Sequence, residues 1–81
     1  MSKKPIKVIH KPLKHRKMWG HVDTDTRVIE IDDTLTGIDH LDTLTHEALH
    51  IGCPYLAEEA VEKAATDIAR VLWREGYRRL A

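Results

Sequence analysis

The sequence predicts an α+β domain, with short strands first and two helices after them. Three observations carry this. Apolar and β-branched residues alternate with polar ones in short runs up to Ile31, the period of half-buried strands. From Leu41 onward the apolar residues recur every three or four positions, the period of an amphipathic helix. Turn and breaker residues (Asp23-Thr24-Asp25, Asp32-Asp33 and Gly52 with Pro54) fall between these runs.

In chain order, Ile6-Lys7-Val8-Ile9, bracketed by Pro5 and Pro12, reads as the first strand. Met18 to Val22 reads as the second, with Met18, Gly20 and Val22 on one face and Trp19 and His21 on the other. Arg27-Val28-Ile29-Glu30-Ile31 is the third, and it forms an antiparallel hairpin with the second across Asp23-Thr24-Asp25. The strands as a set are expected to be antiparallel, and Asp32-Asp33 to break the last one. The first helix is expected to start near Gly37, with Asp39 as N-cap, and to carry Leu41, Leu44, Ala48 and Ile51 on its apolar face. Gly52 and Pro54 stop it. The second helix starts near Ala57, buries Val61, Ala64, Ala65, Ile68 and Leu72, and ends at Gly76. Alanines on that stripe suit close packing against the first helix.

Eighty-one residues suit one domain spanning 1–81. A chain of this size buries only about 60–65% of its unfolded surface, so a staple is valuable. Cys53 is the only cysteine, which rules out a disulfide within the chain and leaves a metal or a partner subunit. With one thiol, and no apolar run after Lys3 and Lys4, the sequence reads as cytoplasmic, and no stretch is apolar enough to span a membrane. Charge is balanced, 13 basic against 13 acidic residues. Lys3, Lys4, Lys7, Lys11, Lys14, Arg16 and Lys17 nevertheless all precede the first acid, Asp23. This basic arm, residues 1–17, reads chiefly as a solvated strand face that resists edge aggregation; contact with nucleic-acid phosphate is the weaker reading.

The chemistry lies in His46-Glu47-Ala48-Leu49-His50. Residues four apart on a helix share a face, so His46 and His50 can reach one ion. Zinc accepts imidazole nitrogens at about 2.0–2.1 Å. Glu47 follows the first histidine by one residue, so its carboxylate falls beside the ion, where a general base for an attacking water belongs. Chance gives this pattern in about 3% of shuffled chains with six histidines and six glutamates, so the signal is specific. The bland alternative is an exposed helix face with two solvated histidines. The uncharged neighbours Thr43-Leu44-Thr45 and Ala48-Leu49 argue against it.

From Leu41 to Arg78 the chain resembles the small zinc-peptidase-like proteins of phage and prophage genomes, and more broadly the zincin metallopeptidases. Their core is a strand pair, an HExxH helix and a second helix bearing an acid. The resemblance covers roughly residues 18–80. It implies one Zn2+ per chain, a peptide or protein substrate, Glu47 as general base, and, as in the gluzincin branch, a third ligand from a glutamate on the second helix. Glu58, Glu59 and Glu62 compete for that role. One turn before Val61, Glu58 continues the apolar stripe; Glu59 aligns with Lys63, Thr66 and Arg70 on a polar face, and Glu62 lies at the boundary. Glu58 is therefore the preferred ligand, and its simpler role is as an acid favoured by the helix dipole.

Several other residues have both a functional and a plain reading. Tyr55 or Tyr77 could polarise a carbonyl but read first as core aromatics. Cys53 could approach the ion but reads as a buried thiol. His21 lies on the strand that zincins set beside the site and reads as a cross-strand surface residue. Trp19 and Trp73 read as core. A site of the same composition could also be a closed structural staple in a small domain that binds a protein or nucleic acid.

Overall fold

The computed structural model describes residues 4–13 and 18–80. Three strands, β1 (Lys7–Lys11), β2 (Gly20–Asp23) and β3 (Val28–Asp32), precede helices α1 (Gly37–Gly52) and α2 (Glu58–Arg74), so the α+β class is borne out. The sheet order is β1-β3-β2. β2 and β3 form the expected antiparallel hairpin, with His21 opposite Glu30 and Val22 opposite Ile29. Asp23 organises the turn, its Oδ1 accepting from the amides of Asp25 (3.0 Å) and Thr26 (3.2 Å).

The first strand corrects the all-antiparallel expectation. β1 runs parallel to β3, from Lys7 opposite Val28 to Lys11 opposite Asp32. β2 carries the chain back between the two parallel strands, and a hydrogen bond far apart in sequence ties the end of β3 to the chain just after β1. The fully buried Leu13 donates its amide to Asp32 Oδ2 at 3.0 Å. Asp32 is thus not a simple strand breaker. It ends β3 with its side chain fully buried, and its Oδ1 accepts from Thr34 N (2.9 Å) and Thr34 Oγ1 (2.6 Å). Several donors on one carboxylate offset the desolvation that burial imposes. In the basic arm, Lys11 pairs with Glu30 at 3.5 Å. Lys3, Lys14, Arg16 and Lys17 lie outside the described residues.

β3 is the spine of the core. Ile29 and Ile31, 1% and 0% exposed, pack with Ile51 of α1, and Val22, Leu44 and Ala48 close around them. α2 lies against α1 through Val61, Ala65 and Ala69, all buried; Ile68, expected on this stripe, is largely exposed. The N-cap of α1 is Thr36 rather than Asp39, which sits in the first turn and faces the helix dipole. Gly52 ends α1 without a left-handed backbone, Pro54 preventing continuation. α2 ends in a Schellman motif. Gly76 (φ 89°) donates to the Trp73 carbonyl, and Tyr77 donates to that of Leu72 at 3.0 Å. Trp19, expected in the core, is 57% exposed. No helix among the described residues is long and apolar enough to cross a membrane.

If Ile31 anchors the core, Ile31→Ala should cost about 2–5 kcal/mol. That is a large fraction of the roughly 4–12 kcal/mol available to a chain of this length. A urea titration should show the midpoint falling with an unchanged slope.

Candidate metal centre

The site begins with two turns of α1. Helical spacing sets His46 and His50 side by side with their Nε2 atoms 3.2 Å apart and their rings edge to face at 68°. Two nitrogens bound to one zinc at about 2.0–2.1 Å, at a near-tetrahedral angle, stand roughly 3.3 Å apart, so the pair already has the spread one ion requires. The third group comes from α2. Ala57 is its N-cap and Glu58 its first residue. Because Val61 is fully buried against α1, the residue one turn earlier is carried to the rim beside the histidines. Glu58 Oε2 lies 3.0 Å from His46 Nε2, and Glu58 Oε1 lies 3.0 Å from His50 Nε2. One carboxylate thus faces both imidazoles. In the plain reading Glu58 would only complement the helix N-terminus, which does not account for this double approach.

Among the described residues these three are the only His, Cys, Asp or Glu group whose ligand atoms gather closely enough for one ion, all within 4.8 Å. The set fits zinc in donor chemistry and in number, leaving one of four positions to solvent or substrate. Glu59 and Glu62 are exposed and outside the group. The motif helix is half-buried, with the His46 and His50 side chains 21% and 26% exposed.

Glu47 stands beside this group, in the seam between α1 and β2. A methyl group at Gly20 would stand 3.0 Å from Glu47 Oε2, 3.1 Å from its Cγ and 2.8 Å from Thr43 Cγ2. Glycine is what lets the strand come this close to the carboxylate. In the sequence Gly20 shows only as a residue on one strand face; the signal for this role is a glycine inside a strand, which marks close backbone approach. Burial holds the Glu47 carboxyl above the usual carboxylate range, with Glu58 adding to the rise and His46, His50 and His21 opposing it. A proton acceptor tuned upward from the ordinary carboxylate works nearer neutral pH.

The groups face an open cleft of about 480 Å³, with His46, Glu47, His50 and Glu58 on one side and His21 and Val22 of β2 on the other. His21 is therefore at the site, although it is exposed and outside the ligand group. Neither tyrosine is a core aromatic, and neither lines this cleft: Tyr55 is 81% and Tyr77 64% exposed. The Tyr55 phenol is raised mainly by its hydrogen bond with Cys53. Cys53 is half-buried and stands apart from the ligand group. Compared with protein-family models, curated proteins and solved structures, the chain matches none of them.

If Glu58 is the third ligand, Glu58→Ala should weaken zinc binding by about a hundredfold or more, since even residues that only support a ligand cost 10–100-fold. Glu59→Ala should leave the affinity nearly unchanged. Competition against a chromophoric chelator measures both.

Proposed function

We propose that this chain is a minimal zincin-type peptidase that binds one Zn2+ through His46, His50 and Glu58 and hydrolyses a peptide bond with Glu47 as general base. The observation that carries this reading is the convergence of two imidazoles and one carboxylate beside a separate, half-buried carboxylate. Zinc bound there would supply Lewis acidity toward a water and a substrate carbonyl. Glu47 takes a proton from the attacking water as the new C–O bond forms, then delivers it to the amine nitrogen as the C–N bond breaks. Gly20 is a positioning residue, because the space it leaves sets where the Glu47 carboxylate rests. The open cleft admits an extended peptide or a protein segment.

The three-ligand set supports this reading over a closed structural staple, which ordinarily uses four protein ligands. The pairing of Lys11 with Glu30 takes one cation of the basic arm away from nucleic-acid contact. We place the protein in the cytoplasm, where a lone, half-buried thiol stays reduced.

Cleavage of a peptide library by the zinc-loaded chain tests the proposal. Glu47→Gln should retain one zinc per chain and lose about 10²–10⁴-fold in rate. Gly20→Ala should slow turnover while zinc binding changes little. A wild-type chain with zinc bound that cleaves no peptide would remove the catalytic reading and leave the metal reading intact.

The metal should also hold the fold together. At zinc a hundredfold above Kd, binding adds about 2.7 kcal/mol. For a domain this small, that corresponds to roughly 10 °C or more in Tm. A chelator melt that matches the zinc-loaded melt would show that the site contributes nothing to stability.

A further inference from the structure

A second concavity lies away from the cleft and shares no residue with it. It is a groove of about 590 Å³ between the start of α1, β1 and the chain after α2. Val8, Leu35, Leu41, Leu44, Trp73 and Tyr77 make its apolar wall. The volume falls within the range of small-molecule sites, and an apolar wall with a few clustered polar groups is their usual make-up.

The polar groups are His10, His40, Arg78 and Arg79. His10 and His40 approach with Nε2 atoms 3.0 Å apart, ring planes within 15° and centroids 5.2 Å apart. The centroids are far apart relative to the nitrogens, so the two Nε2 atoms face each other nearly head on, as one N–H donating to one lone pair. Such a bond needs a lone pair on the accepting ring, so at least that ring is neutral. Burial, with Arg79 nearby, lowers both pKa values, and for His10 the acid opposing this is Asp33. With Nε2 atoms engaged in this way, one ring must carry its hydrogen on Nδ1, and no hydrogen bond among the described residues uses it. Arg78 is committed to the wall, its guanidinium 3.5 Å over the Trp73 ring and its Nη1 donating to the Trp73 carbonyl at 2.6 Å. Arg79 makes no ion pair or hydrogen bond among the described residues, and no Asp or Glu lines the groove.

We propose that this groove is a binding site for a small apolar carboxylate, its chain along the Leu41, Leu44 and Trp73 wall and its head group on Arg79 beside the His10–His40 pair. Charge complementarity selects the occupant. Among the described residues the lining offers two guanidiniums, Arg79 without an ion pair or hydrogen bond, beside two hydrogen-bonding imidazoles and no acid. The site does not depend on the metal reading.

Calorimetric titration of the full chain with decanoate and with decanol, both below their aggregation concentrations, tests this, with Trp73 fluorescence as a second readout. Decanoate should saturate at one per chain and bind at least about tenfold tighter than decanol, one charge-assisted contact being worth that factor. Arg79→Gln should bring decanoate to the affinity of decanol, and Arg79→Lys should keep much of the preference. Equal binding of acid and alcohol, binding that never saturates, or a preference unchanged in Arg79→Gln would overturn the proposal. So would sedimentation showing that this face is closed by a second copy that decanoate does not displace.

Discussion

The closeness of α2 to α1 is the constraint on which the candidate centre depends. Val61, Ala65 and Ala69 are buried at that seam, and two of the three are alanine. Interhelical distance follows from the size of the side chains between the axes, within roughly 8–10 Å. Short side chains let the first turn of α2 come within hydrogen-bond distance of His46 and His50. Larger residues would move Glu58 outward even though it, and both histidines, were unchanged. Glu58 itself is 59% exposed, so its own burial does little to fix it. It is held by what is packed one turn below.

A second chain of constraint runs through the sheet to Glu47. Ile29 and Ile31 fix β3 against α1, and β3 fixes β2 by register, Val22 opposite Ile29 and Gly20 opposite Ile31. Gly20 then sets the gap in which Glu47 lies. Glu58 and Glu47, the candidate third ligand and the candidate proton acceptor, therefore depend on different parts of the core. Damage to the helix seam acts first on Glu58, and damage to the β2–β3 pair acts first on Glu47.

How much of this could be read from the sequence follows from how local each feature is. The two helices, the hairpin and the side-by-side placement of His46 and His50 depend on period and turn chemistry, which neighbouring residues encode. The placement of Glu58 beside the two histidines was legible because the stripe through Val61 is also local. The parallel pairing of β1 was not, since it sets Lys7 beside Val28 and Lys11 beside Asp32, residues far apart in the chain. Asp32-Asp33 looked like a polar break because the burial of the Asp32 carboxylate and its distant donor, Leu13, have no local signature. Trp19 and the two tyrosines went the other way. Size and apolarity suggest burial, but 81 residues do not provide enough interior to cover every aromatic.

The two histidine pairs show why ligand atoms must be judged with their surroundings. Their Nε2 separations, 3.2 Å and 3.0 Å, are nearly the same. At His46 and His50 the rings meet at 68° and a carboxylate lies 3.0 Å from each nitrogen, so lone pairs and negative charge gather where a cation would sit. At His10 and His40 the rings are nearly parallel, the nitrogens face each other, and the guanidinium of Arg79 acts on both rings, with Asp33 opposing it only at His10. A dication there would meet a positive neighbour and would have to break the bond that the two rings share. The same residue type at the same separation thus favours a cation in one place and an anion in the other. What differs is the third group: the first turn of α2 brings a carboxylate to one pair, and the chain leaving the end of α2 brings a guanidinium to the other.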